Sequence, residues 1–345
     1  MPETIAIIGA SGKLGGATLS ALLSHKLAPP ESVVALTSAA EGSDKWASLA
    51  ARGVRVRHAR YEDPASLEAA LAGVHTFFLV STPELALDLT EADGTPLGPG
   101  REARHFAAVD AAARVGVRRL VYSSLAFASG AGGRRGAAEG GFGGVGGGES
   151  KAGVMRAHLR TEEYLRRAAE ERRFDEVVAA REGVYSESWP LYLGYFSPRG
   201  WDDERAAVKL AGDGKICWTA IRDLGVANAL VLAAPPGRYA GFHAFYLSTR
   251  PRTAKDLKEV AALVGEARGR EVAVEIVGRR EHERHYIEDR GMDGPAVRWW
   301  ASTYDALEAW ECVVDDPTLE ELLNSVGEKP TPFEDAVRAM VKKSD

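Results

Sequence analysis

The stretch TIAIIGASGKLGGATLSALLSH, residues 4–25, constrains the fold of this chain more than any other. A short apolar strand runs into a turn with Gly9, Gly12 and Gly15 spaced three apart, and the turn opens an amphipathic helix. A buried strand followed by a helix returns to a parallel neighbour by a right-handed crossover. The same alternation then repeats. SVVALTS, VRVRHARY, HTFFLVS and RRLVYSSLAF read as strands, and DKWASLAARG, PASLEAALAG and GREARHFAAVDAAARVG as the helices between them. The expectation is an α/β fold, a doubly wound parallel sheet with helices on both faces.

The alternation is interrupted by SGAGGRRGAAEGGFGGVGGGES, residues 129–150. Ordering so many glycines costs too much entropy for a packed element, so the segment reads as a flexible insertion. Its place after a sheet strand leaves an active-site lid as the other reading. Beyond Gly183 the aromatic VYSESWPLYLGYFSPRGW suits a pocket wall. DLGVANALVLAA and FHAFYLS look like a return to the main sheet. The expected organisation is a nucleotide-binding unit over 1–184 rejoined by 222–250. A smaller C-terminal α+β substrate unit is expected over 185–221 and 251–345.

Charge and length narrow the function. With 43 Lys and Arg against 49 Asp and Glu, the net charge of -6 argues against a general nucleic-acid binder, which needs clustered cations. No apolar run approaches the ~20 residues of a bilayer span. The first strand begins by Thr4, which leaves no room for a signal peptide, so a cytoplasmic protein is expected. Cys217 and Cys312 have no metal-ligand spacing and read as small buried hydrophobes. HERH, His282 to His285, spaces its histidines i, i+3 rather than the i, i+4 of a zinc helix and reads as a structural or solvated face.

The glycine turn is a phosphate cradle in this context. Gly9 permits the tight turn, Gly12 lets backbone approach phosphates, and Gly15 lets the helix sit against the strand. Ser11, Lys13 and Leu14 complete the turn, and the helix start offers free N–H donors. The second strand ends at Leu36, Thr37 and Ser38, without the carboxylate that takes ribose hydroxyls in an NAD site. Two hydroxyls, with Lys13 and Lys45 nearby in sequence, suit a 2′-phosphate, so NADP(H) is favoured over NAD(H).

Two further strands end in Val80, Ser81 and Thr82 and in Ser123 and Ser124, where sheet topology places ligands. Their hydroxyls either hold the cofactor or cap the next segments. Tyr185, Glu187, Trp189 and Tyr192 follow the next strand, as a wall for a flat substrate or as packed core.

IIGASGKLGG, YEDPASLEAALAGVHTFFLVS, HFAAVDAAARVGVRRLVYSSLAF, AHLRTEEYL, REGVYSESW and GDGKICWTAIRDLGVANALVLA together resemble the NmrA-like family. These are atypical short-chain dehydrogenases/reductases. The resemblance implies a Rossmann-type domain, NADP(H) and a small C-terminal domain closing over the nicotinamide. It also implies either a reductase of quinones, isoflavones or imines or a redox-sensing regulator. Classical members of the superfamily use Tyr-x-x-x-Lys, and no tyrosine here has lysine at that spacing. Near the expected lysine stands His158, which by resemblance faces the nicotinamide ribose, as orienting donor or proton donor; a solvent-facing helix histidine is the bland alternative. The leading expectation is an NADP(H)-dependent reductase of a small, flat acceptor. A non-catalytic sensor acting through a protein partner is the alternative.

Overall fold

The computed structural model describes residues 3–127, 133–134, 150–197 and 204–342. Most of the glycine-rich segment 129–150, and with it the choice between insertion and lid, lies outside them. From the N-terminus, β1 (Ile5–Ile8), α1 (Lys13–Ser24), β2 (Val33–Thr37), α2 (Asp44–Ala50) and β3 (Arg55–His58) form the first half. α3 (Pro64–Leu71), β4 (Thr76–Leu79), α4 (Glu102–Arg114) and β5 (Arg119–Leu125) follow. β6 (Gly133–Arg134), α5 (Met155–Glu170), β7 (Glu176–Glu182) and α6 (Trp189–Tyr192) lead into β8 (Ala207–Leu210), α7 (Ile221–Leu232) and β9 (Gly241–Leu247).

Seven of these strands make one parallel sheet in the order β3-β2-β1-β4-β5-β7-β9. Alternation explains how it is covered. Ile5 and Ile7 join Leu14, Leu19, Leu224 and Val231 on one face, while Ala6 and Ile8 join Leu67, Leu71, Val109 and Leu165 on the other. Both faces are therefore apolar, as a parallel sheet between helices requires. Strand order reverses between β1 and β4, which opens a crevice at their carboxyl ends. At the opposite end of the sheet, buried Arg119 pairs with Glu176 at 2.9 Å. It also donates to the carbonyls of Leu232, Ala234 and Pro235 at the end of α7, which makes this ion pair structural.

The rest of the chain adds α8 (Leu257–Arg268), β10 (Ala273–Ile276), α9 (Arg279–Arg284), α10 (Gly294–Glu308), β11 (Val314–Asp315), α11 (Thr318–Ser325) and α12 (Phe333–Lys342). β8 and β10 pair in parallel, and a separate core gathers Trp189, Tyr192, Trp218, Leu257, Val260, Trp300, Tyr304 and Phe333. One element sits differently from the sequence reading. α11, grouped there with the smaller unit, packs Leu319 and Leu323 into the core under α1 and α7 of the large sheet. Cys217 and Cys312 are free and buried, and their backbones are joined by a 3.1 Å hydrogen bond. His282 is buried, with Nδ1 3.0 Å from the Lys209 carbonyl, which makes HERH structural. Among the described residues no helix is long and apolar enough to cross a membrane, and no group of side chains is arranged to hold a metal.

Candidate functional site

The glycine turn has the geometry a phosphate needs. Gly9 takes φ +71°, and Gly12 N–H donates to Gly9 O at 2.8 Å. A Cβ on Gly15 would meet Gly9 O at 2.4 Å, so only glycine allows α1 to start this close to β1. α2 and α3 are capped by the side chains of Ser43 and Asp63, whereas α1 has no side-chain cap and no acid in its first turn. The donors that every helix start leaves over thus remain available there. Ser11, Gly12 and Lys13 are exposed beside them, while the Leu14 side chain is buried in the core and offers only its backbone. This uncapped, positively polarised cradle fits a dinucleotide diphosphate.

At the end of β2 the two hydroxyls separate. Thr37 is buried, and its Oγ1 accepts from Ala39 N at 3.1 Å, so it shapes the local turn. Ser38 is exposed, as is Lys45 on α2.

The ends of β4 and β5 are joined directly. Ser81 N donates to Ser123 Oγ at 2.8 Å, and Val80, whose carbonyl accepts from the Tyr61 hydroxyl, packs within 3.8 Å of where a Gly9 Cβ would lie. These residues therefore surround the mouth of the glycine turn. Ser124 departs from the expectation. It is 2% exposed and donates to Glu162 at 2.6 Å, within a buried ion pair between Glu162 and Arg181 at 2.7 Å. It serves that pair rather than the crevice.

Behind Ser81 lies a buried polar network that the sequence did not suggest. Arg101 donates to Asp88 through Nε at 2.6 Å and through its backbone N at 2.7 Å. Its remaining donors reach Ser81 Oγ at 3.3 Å and the Val154 carbonyl, just before α5, at 3.1 Å. His105 Nε2 accepts from Thr82 N at 3.2 Å, and Nδ1 lies 2.9 Å from Thr161 Oγ1. Tyr122 Oη stands 2.9 Å from His158 Nδ1. Burial and the nearby Arg101 charge lower the pKa of His105 to about 3. Burial, Arg101 and His105 likewise hold His158 well below the usual histidine range. Both rings are neutral at physiological pH.

The four expected wall residues divide. Trp189 is fully buried against Phe196, and Tyr192 is sandwiched edge-on between Trp218 and Trp300, so both belong to the smaller core. Tyr185 is half-buried, and its hydroxyl donates to Glu182 at 2.8 Å. Glu187 accepts from Ile221 N at the start of α7, and it shares with Lys13, Ile221 and Arg222 a cleft of about 620 Å³. Burial raises its pKa, while the Lys13 charge opposes the shift. A second cavity, about 420 Å³, lies along edge strand β9 between Arg238, His243 and Phe245, and none of the strand-end groups lines it.

Arg101, Asp88, His105 and Glu182 are thus the residues that sequence reasoning missed, whereas Tyr122 lies in the strand end YSSL that the sequence offers as a ligand contact. Only His105 left a signal. It occupies the inward stripe of α4 with Ala108, Val109 and Ala112, where an imidazole needs a buried partner.

A sheet wound this way, with an uncapped glycine turn beside hydroxyl-bearing strand ends, defines a Rossmann-type nucleotide-binding protein. Residues 1–136 match the model of the NmrA-like family. An NmrA-like family domain-containing oxidoreductase of Aspergillus flavus is 27% identical over 97% of this chain and 94% of its own. Quinone oxidoreductase 2 of Escherichia coli is 28% identical over 66% of this chain and 64% of its own. The structure of Citrobacter sp. triphenylmethane reductase complexed with NADP(H) superposes with a TM-score of 0.70, at 25% identity, covering 99% of this chain and all of that one.

Proposed function

We propose that the chain is an NADP(H)-dependent oxidoreductase that reduces a small, flat, electron-poor acceptor, a quinone, enone or imine, by direct hydride transfer. One observation carries this reading. The uncapped, acid-free first turn of α1 opens beside the joined ends of β4 and β5. The relatives named as oxidoreductases, and the neighbour bound to NADP(H), support it.

When bound, NADPH supplies the hydride. The chain's own groups bind and orient. N–H groups of the Gly9–Gly15 turn hold the diphosphate. Exposed Ser38, without a neighbouring carboxylate on its strand end, admits a 2′-phosphate. Ser81 and His158 orient the nicotinamide end. A neutral, buried His158 donates a hydrogen bond but carries no spare proton near neutral pH. The acceptor must therefore tolerate hydride addition with little acid catalysis, which favours quinones and imines over simple ketones.

The test is NADPH oxidation with a panel of quinones and imines, run beside calorimetric NADPH titration. Turnover with at least one acceptor class is expected. Tight binding without turnover at high protein concentration would move the reading to a cofactor sensor, and absence of binding would overturn both.

A further inference from the structure

We infer that Tyr122 and His105 are positioning residues that fix the tautomer of His158, leaving Nε2 as its protonated nitrogen. The inference rests on the reading of His158 as an orienting donor. The starting point is a backbone group whose hydrogen cannot be reassigned. Thr82 N–H points at His105 Nε2 at 3.2 Å, so Nε2 carries the lone pair. Neutral His105 must then be protonated on Nδ1.

Thr161 confirms the direction. Its hydroxyl proton is committed to the Ala157 carbonyl at 2.7 Å, so Oγ1 accepts from His105 Nδ1–H at 2.9 Å. Tyr122 Oη also lies 3.4 Å from that N–H, which it meets with oxygen lone pairs. The phenolic proton therefore points away from His105, toward His158 Nδ1 at 2.9 Å. His158 Nδ1 accepts, and the neutral ring carries its proton on Nε2.

That proton is free to act. No described residue bonds to Nε2, and this atom is not among the fully enclosed polar atoms left without a partner. With His158 protonated on Nδ1, the Tyr122 proton would have to turn to Ser81 or Thr161, whose oxygens already accept from Arg101 and His105. The helix register makes the arrangement local to α5. His158 and Thr161 stand one turn apart and reach Tyr122 and His105 from the same face. The role is orientation rather than proton supply. Passing the Nε2 proton on would draw the phenolic proton from Tyr122, whose pKa burial pushes upward.

The decisive measurement is two-bond 1H–15N correlation of the histidine rings in the cofactor-free protein at neutral pH, assigned with His158→Ala. The expected wild-type pattern is His105 protonated on Nδ1 and His158 on Nε2. In Tyr122→Phe, His105 should keep its form, whereas His158 should shift toward a mixture with Nδ1–H, and NADPH affinity should fall several-fold. A wild-type His158 protonated on Nδ1 overturns the inference without recourse to any variant. So does an unchanged His158 pattern in Tyr122→Phe. A tautomer that shifts as expected while NADPH affinity is unmoved in both Tyr122→Phe and His158→Ala supports the positioning role. That outcome would overturn instead the reading of His158 as a cofactor contact.

Discussion

Gly15 sits so close to Gly9 that a Cβ on the first would stand 2.4 Å from the carbonyl oxygen of the second. The contact is backbone against side chain, so no rotamer relieves it. Alanine at a helical position normally gains about 0.5–1 kcal/mol over glycine. Here the clash must move α1 off β1 and open the phosphate cradle. Gly15→Ala is expected to lower the unfolding midpoint and weaken NADPH binding by at least tenfold. Urea unfolding and calorimetric titration measure the two effects, and a stabilised variant with intact binding would refute the argument.

Arg101 and Asp88 form a different kind of support. Both are almost completely buried, and each satisfies the other, so loss of one leaves an uncompensated charge. Asp88→Asn should cost about 3–5 kcal/mol of stability, the range for breaking one side of a buried pair. Because Arg101 also holds Ser81 and the Val154 carbonyl, the start of α5 should loosen and hydrogen exchange there should quicken. A cost near that of a surface pair would show that water reaches Arg101.

The contrast between these two sites explains what the sequence could convey. Gly9, Gly12 and Gly15 answer a local demand of the backbone, and such demands are written in consecutive residues. The apolar runs of β1, β2, β4 and β5 are legible for the same reason. Arg101, His105 and Tyr122 find partners tens of residues away, and even the inward place of His105 on α4 says only that a partner is needed, not which one. Ser123 and Ser124 show how a local rule sharpens a site. Adjacent strand residues face opposite sides, so only one of them was able to join Ser81. Trp189 and Tyr192 looked like a pocket wall because large aromatics serve cores and pockets alike, and composition does not separate the two. α11 was misplaced because an amphipathic stripe states that a helix is buried without stating against what.

Cofactor choice should turn on Ser38. It is exposed at the end of β2, and the buried Thr37 hydroxyl beside it is occupied by Ala39 N. A carboxylate there would repel a 2′-phosphate and accept from free ribose hydroxyls instead. Ser38→Asp is expected to weaken NADPH at least tenfold, about 1.4 kcal/mol, and to bring NADH level with it or ahead. Stability should be nearly unchanged, because the side chain is in solvent. Equal affinities for the two cofactors in the starting protein would remove the basis of the prediction.

Glu182 sets a pH dependence of opposite sign to that of the histidines. It is 1% exposed at the end of β7, where its oxygens accept from Asn228 Nδ2 and from the Tyr185 hydroxyl, each at 2.8 Å. Among the described residues no cation neutralises it, and burial raises its pKa from 4.5 to about 8. Between those values the native state holds a proton that the unfolded chain has released. Its contribution is complete below pH 4.5 and is lost as the pH rises toward 8. His105, lowered from 6.5 to about 3, behaves in reverse, and its contribution is lost as the pH falls below 6.5. Glutamine at 182 keeps the shape and a carbonyl acceptor but cannot ionise. If the Asn228 amide turns over, its Oδ1, without a partner among the described residues, faces the glutamine NH2 in place of Nδ2. Glu182→Gln should therefore match the wild type near pH 5 and exceed it at pH 8.5. Across the window the gap should widen by up to about 1.4 kcal/mol per pH unit. Urea unfolding at the two pH values reads this directly. Parallel stability profiles would mean that Glu182 is ionised in the native protein and that a cation or water stabilises it there.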